Sequence, residues 1–222
     1  MARIHFLTGN AGKVDEAVHH LAPLGHDVVQ LSIDGIVEPQ AEELETVARA
    51  KLEQAKAHLP DPNDWLMVED AGLFVEALDG FPGVYSSYAL STLGCHGLLR
   101  LLDHLHSEDL HVEAGLRRAE FRAVAALMTP QGTFIGEGAC LGRIAPALDG
   151  EGGFGFDPVF IPRDLDLSGQ PAEIGVQGEV STHGRTFAAV DMDLKGKFSH
   201  RTEALQDLLA QLGTADEAAS AS

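Results

Sequence analysis

The chain has 222 residues, 34 of them acidic against 15 basic, for a formal net charge of −19 at pH 7, with 45% apolar content. That length suits one sizeable core, or one domain with two lobes, and no run of 18 apolar residues is present to cross a bilayer as a helix. The charge disfavours nucleic acid and anionic membranes as partners, because both demand a positive contact surface. Met1 to Asn10 lacks the charged and apolar regions of a signal peptide, and two cysteines, Cys95 and Cys140, are too few for a disulfide framework. A cytoplasmic location is therefore expected.

Arg3 to Leu7 reads as a short strand ending at Thr8-Gly9-Asn10, and Lys13 to Leu24 carries apolar residues on one helical face. Asp27 to Ile33 alternates as a second strand. Leu44 to Ala55 is a second helix, stopped by Pro60-Asp61-Pro62. Trp65 to Val68 is a buried strand, and Leu73 to Leu78 is extended before the turn cluster Gly80-Phe81-Pro82-Gly83. Leu98 to Leu105 is helical. Ala119 to Met128 and Thr133 to Leu141, separated by Pro130-Gln131-Gly132, form a hairpin. Asp157 to Ile161 is a short strand, and Leu165 to Thr186 is a polar surface loop. Thr202 to Leu212 is a last amphipathic helix, followed by a small, acidic tail. Strands alternating with helices around a hairpin predict an α/β domain with a mixed sheet.

Four segments can carry chemistry. Thr8-Gly9-Asn10-Ala11-Gly12-Lys13 joins a strand to a helix, so free backbone N–H groups and the Lys13 ammonium meet at a helix N-terminus suited to an anion. It is not a Walker A loop, which needs glycine at Leu7 and a hydroxyl at Val14. An ordinary βα turn has the same pattern. Val68-Glu69-Asp70-Ala71-Gly72 sets two carboxylates at a strand end, where they suit a hard cation or an activated water, or simply face solvent. In Gly152-Gly153-Phe154-Gly155-Phe156-Asp157-Pro158 the rings of Phe154 and Phe156 can stack on a flat base and Asp157 can accept from it; a glycine turn before a core strand reads equally well. Lys195 and Ser199-His200-Arg201 precede the last helix, with Ser199 as a plausible N-cap. His19-His20 and His104-x-His106 read as solvated surface histidines.

Each segment is weak alone, but their order is specific. From Arg3 to about Leu212 the chain resembles the Ham1-like inosine triphosphate pyrophosphatases, also called XTP/dITP diphosphatases. The resemblance rests on Thr-Gly-Asn-x-x-Lys (8–13), Glu-Asp-x-Gly-Leu (69–73), Ala-Leu-x-Gly-x-Pro-Gly-x-Tyr-Ser (77–86), Gly-Phe-Gly-Phe-Asp-Pro (153–158) and Ser-His-Arg-x-x-Ala-Leu (199–205). It implies an α/β fold: a mixed, twisted central sheet flanked by helices, in two lobes with the active-site cleft between them. Residues 1–213 would be a single domain of this kind and 214–222 a disordered acidic tail.

The implied activity is hydrolysis of non-standard purine nucleoside triphosphates (ITP, dITP, XTP) to the monophosphate and pyrophosphate. The alternatives are a pyrophosphatase of different base specificity and a non-catalytic nucleotide-binding protein on the same fold. Thr8, Gly9, Asn10, Ala11, Gly12 and Lys13 would hold the triphosphate with Lys51. Glu38 and Asp70 would bind magnesium, or manganese in its place; Glu42 or Glu43 remain alternatives to Glu38. Asp70, with Glu69 and Lys13, would be catalytic. Ala71, Phe154, Gly155, Phe156, Asp157, Lys195, His200 and Arg201 would complete substrate binding, and a homodimer is implied. Lys13, Lys51 and Lys195, three of the five lysines, thus fall on family positions. Two departures stand out. Ala71 replaces a frequent serine, and Ser87-Tyr88-Ala89 lacks the basic residue common after Tyr85-Ser86. The 165–186 stretch, with His183 and Arg185, is either a surface insertion or the source of the missing base.

So acidic a surface fits a protein kept in concentrated salt, where the Debye length falls to about 3 Å. Thermal denaturation in increasing KCl checks this: the midpoint should rise into the molar range, and a maximum in dilute buffer would refute a salt-adapted origin.

Overall fold

The computed structural model describes residues 2–220. Its elements in order are β1 (Arg3–Leu7), α1 (Ala11–Leu21), β2 (Asp27–Leu31), α2 (Leu44–Lys56), β3 (Trp65–Val75), β4 (Pro82–Gly83), α3 (Ser86–Thr92), α4 (Gly94–Leu101), α5 (Leu110–Leu116), β5 (Arg118–Thr129), β6 (Gly132–Ile144), β7 (Phe160–Pro162), α6 (Met192–Gly196) and α7 (His200–Ser220). Among the described residues the strands form one seven-stranded mixed sheet, in the order β2-β1-β3-β5-β6-β7 with β4 beside β3. The chain divides into two compact units: Met1–Ala71 with Ala123–Gly138 and His200–Ser222, and Gly72–Arg122 with Ala139–Ser199. The expected disordered tail, 214–222, falls where side chains or placement lie outside the described residues.

In the first unit β1 lies between two parallel neighbours, Leu7 facing Leu31 of β2 and Val68 of β3. His5 of this central strand bonds to Asp64 (2.8 Å), whereas Ile4 and Phe6 share the opposite face and are buried. Ala17 and Leu21 of α1 and Ala204, Leu205 and Leu208 of α7 pack with them into one core. Helix α7 approaches β6 closely, because Gly136 and Gly138 present bare backbone. A Cβ at Gly138 would collide with the His200 carbonyl and the Ala204 amide.

The second unit has its own core, formed by Leu73, Val75, Leu98, Leu102, Ile144, Phe156, Phe160, Phe187 and Phe198 with their neighbours. Its central polar feature is Arg117, 4% exposed. Its guanidinium donates to the carbonyls of Ile144 (2.9 Å), Leu102 (2.8 Å), Leu105 (3.1 Å) and Ala145 (3.0 Å). Burial holds its pKa below the ordinary arginine value, and four carbonyl acceptors rather than a carboxylate satisfy its donors.

The structure differs from the sequence reading at several places. Glu69 and Asp70 lie within one continuous strand, β3, not at the end of a shorter one. Its far half is held by pairing with β4 and by the Ser86 hydroxyl, which accepts from the Leu73 amide (2.8 Å) and donates to the Gly83 carbonyl (2.7 Å). The helix expected over Leu98–Leu105 is α4, shifted toward the N-terminus, and α3 and α5, seven residues each, had no legible period. Residues 165–186 lack regular structure but are pinned down. Leu165 exchanges backbone hydrogen bonds with Val180, and Asp166 Oδ1 accepts from the amides of Ser168 and Gln170.

Arg117→Met would leave four carbonyls without their donor. The unfolding free energy in urea should fall by about 3 kcal/mol or more, and an unchanged midpoint would show that water replaces the guanidinium.

Candidate functional site

In the first unit, the turn after β1 is ordered by its own side chains. Thr8 Oγ1 accepts from the Asn10 amide (3.1 Å), and Asn10, the N-cap of α1, accepts from the Gly12 amide (2.9 Å). The first turn of α1 holds no acid, so nothing there opposes an anion at the helix N-terminus. Because β1 ends at Leu7, opposite Val68, the next residues of β3, Glu69 and Asp70, lie just beyond the end of their neighbour.

Successive strand residues point to opposite faces, and the two acids have different surroundings. Glu69 is buried. It pairs with the Lys13 ammonium (3.2 Å) and accepts from Arg201 Nε (2.9 Å), while Lys13 also reaches the Glu69 carbonyl (3.3 Å). Asp70 pairs with Lys51 (3.4 Å) and accepts from the Ala71 amide (3.2 Å). Lys51 lies closer to Glu38, at 2.5 Å. Glu38, rather than Glu42 or Glu43, is therefore the acid found beside Lys51. It is placed by Gln54, which accepts from the Val37 amide (2.9 Å) and donates to the Val37 carbonyl (2.8 Å). Sequence reasoning missed Gln54; a glutamine one helical turn from Lys51 was the available signal.

Burial pushes the Asp70 carboxyl above the ordinary aspartate range. Lys51 and Lys13 pull it down, and Glu38 pushes it further up. Two carboxylates thus share one ammonium. An all-oxygen pair short of positive charge is a donor set that suits a hard cation. Among the described residues no cluster of three or more metal-ligating side chains forms, so any such ion would take its other ligands from water or substrate.

In the second unit the glycine-rich motif makes a tight turn. Gly153 takes a left-handed conformation (φ 70°), and a Cβ there would run into the Asp157 carboxylate. Asp157 is buried, accepts from the Phe154 amide (2.7 Å) and pairs with Lys195 (2.5 Å). The Lys195 ammonium lies 4.5 Å from the centre of the Phe154 ring. Phe154 is 49% exposed, while Phe156 is buried in the core. Of the two rings expected to stack on a base, only Phe154 is therefore presented for it. Asp157 is already committed to Lys195 and the turn. Arg185 is held by both oxygens of Asp149 (2.7 and 2.8 Å), so it does not stand as a free replacement for the base missing after Ser86.

The structure thus gathers Thr8–Lys13, Glu38, Lys51, Glu69, Asp70, Ala71, His200 and Arg201 in the first unit and Phe154–Asp157 and Lys195 in the second. Residues 4–211 match the model of the Ham1 family. The dITP/XTP pyrophosphatase of Pyrococcus horikoshii is 36% identical over 204 residues, covering 92% of this chain and 93% of its own. That of Methanopyrus kandleri is 39% identical over 207 residues, at 92% and 93% coverage. The solved structure of the Staphylococcus aureus Ham1 protein superposes with a TM-score of 0.70 at 28% identity, covering 96% of this chain and 99% of that one. A Ham1 protein from Coxiella burnetii gives 0.69 at 25% identity, at 96% and 100% coverage. The chain belongs to the Ham1 family.

A carboxyl whose pKa is raised by folding is most stable protonated, and the stability linked to it is lost as pH rises through the raised value. Asp70 therefore costs stability at neutral pH. With divalent ions chelated, Asp70→Asn should melt higher than the native protein at about pH 7, with the gap closing below the ordinary carboxylate range. A lower midpoint at neutral pH would show that the ion pair with Lys51 outweighs burial.

Proposed function

We propose that the protein hydrolyses non-standard purine nucleoside triphosphates (ITP, dITP and XTP) to the monophosphate and pyrophosphate. The observation that carries this reading is the pairing of Lys13 and Lys51 with Glu69, Asp70 and Glu38 beside the Thr8–Lys13 turn. It is supported by the dITP/XTP pyrophosphatases to which the chain is similar.

A triphosphate carries about four negative charges, and a chain of net charge −19 binds it only where cations are concentrated. Lys13, Lys51 and the amides of the Thr8–Lys13 turn supply them. Asp70 takes the proton of a water whose oxygen attacks the α-phosphorus, the bond to the α–β bridging oxygen breaks, and pyrophosphate leaves. The raised pKa of Asp70 brings its basicity nearer to neutral pH. Glu69, spent on Lys13 and Arg201, positions those cations and does not itself reach for the water. Glu38 and Asp70 would hold a magnesium ion, or manganese in its place; when bound, such an ion supplies neutralisation of the charge developing on the leaving group. Phe154 and Lys195 would contact the base, and His200 and Arg201 would donate toward the O6 acceptor that a 6-keto purine presents and adenine lacks. The reading also includes a homodimer, a cytoplasmic location and a salt-rich origin, the last supported by the acidic composition.

Pyrophosphate release from ITP, dITP, XTP, GTP, ATP and dUTP, with and without magnesium and at high salt, tests it. An unpaired buried polar group costs about 1–3 kcal/mol, so ATP should be roughly ten- to a hundredfold poorer than ITP in kcat/KM. Asp70→Asn should lose about a hundredfold or more in kcat. Nucleotide binding without turnover in magnesium would overturn the proposal.

A further inference from the structure

Eight of the ten arginines have a partner close at hand. Arg3, Arg49, Arg118, Arg122, Arg185 and Arg201 face carboxylates, and Arg100 and Arg117 donate to carbonyls. Arg143 and Arg163 are the exceptions: among the described residues neither guanidinium makes a hydrogen bond or a salt bridge, and Arg163 Nε is buried without an acceptor. In a chain with more than two acids for every base, a cation left unpaired is unusual.

The two exceptions are neighbours. Strand β6 pairs antiparallel with β7, Arg143 facing Ile161, and the Arg163 amide donates to the Leu141 carbonyl (2.8 Å). That register sets the two arginines diagonally on one face of the pair. Both line one open cavity of about 340 Å³, bordered by residues 173–177 and by Ser181, His183 and Gly184. The volume is at the low end of small-molecule pockets. Ser181 and His183 add to the wall, the Ser181 hydroxyl accepting from the His183 amide (2.9 Å), and a Cβ at Gly184 would lie 3.8 Å from the Arg143 guanidinium. None of the lining residues belongs to the candidate catalytic or base-binding set. Arg163 also borders a second cavity, but there its arginine neighbours, Arg118 and Arg122, already face Glu76 and Glu120.

We propose that this cavity is a second anion site, which holds one phosphoryl group between Arg143 and Arg163. Two planar donor forks match the oxygens of a phosphoryl group. Asp164 and Glu113, whose charges act on Arg143, and Glu173 on the wall offset part of the charge, so the site takes a single phosphoryl group and disfavours a pyrophosphate. Free orthophosphate and a phosphomonoester such as the nucleoside monophosphate product share this chemistry.

The test uses the full chain, free of metal, in low-chloride buffer. Orthophosphate is titrated while the arginine Nε–H resonances are followed by NMR, with calorimetry in parallel. Saturable shifts of Arg143 and Arg163 are expected, with weaker response to pyrophosphate. Inosine monophosphate producing the same shifts assigns the site to the monoester, and its failure assigns it to free phosphate. The double variant Arg143→Gln, Arg163→Gln should bind phosphate about tenfold or more weakly while ITP turnover without added phosphate stays unchanged. Lys13→Ala should leave the arginine shifts intact, which separates this site from the phosphate subsite of the proposed reaction. If the double variant fails to fold, the wild-type resonances decide. Arginine resonances unmoved through about 10 mM phosphate, or full phosphate affinity in a folded double variant, overturn the proposal.

Discussion

The buried carboxylate of Glu69 is the constraint around which the first unit is arranged. A carboxylate 7% exposed is tolerated only if its charge is matched and its oxygens are bonded. Lys13 and Arg201 meet that demand, and they come from positions 56 and 132 residues away. One side chain on β3 therefore fixes the start of α1 and the start of α7 to the same strand. Removing either cation would strand a buried charge, so the cations are held in place before any anion arrives. The Lys13 side chain is thereby fixed beside the Thr8–Lys13 turn.

Asp70, next in sequence, lies in the opposite situation. It shares a single ammonium with Glu38, and burial keeps its carboxyl above the usual range. The two adjacent acids divide the work: one is neutralised and structural, the other is left short of positive charge. Alternation along a strand separates two such environments within one residue step. Placing the pair inside β3, beyond the end of β1, keeps both backbones fixed while leaving room on the side that β1 vacates.

The parts of the site legible in the sequence were those set by local rules. The β1 bounds, the helix that follows the Thr8–Lys13 turn, and the β5–β6 hairpin follow from period and glycine chemistry within a few residues. What was illegible depended on distant partners. Phe154 and Phe156 have the same local pattern, yet one is exposed and the other lies in the core with Phe160 and Leu98. Local sequence does not say which side of the turn faces inward. Nothing in the local sequence marks Arg117 as buried; the carbonyls of four residues, 12 to 28 positions away, close around it. The motif Pro82-Gly83-x-Tyr85-Ser86, one of those on which the resemblance rests, includes a serine whose hydroxyl is spent on the Leu73 amide and Gly83 carbonyl. The spacing of Gly83 and Ser86 serves the backbone of β3.

The second unit shows the same economy of charge as the first. Lys195 is neutralised by Asp157 and capped by the Phe154 ring, so its ammonium is paired at 2.5 Å and covered at 4.5 Å. A flat base stacking on Phe154 would have to compete with that cation, and the exchange is favourable only if the base itself accepts from Lys195. Adenine and a 6-keto purine stack comparably, but a ring bearing a carbonyl oxygen offers the stronger acceptor to an ammonium that has been moved off the ring face. In the proposed reading, selectivity would therefore arise partly from what Lys195 loses on binding.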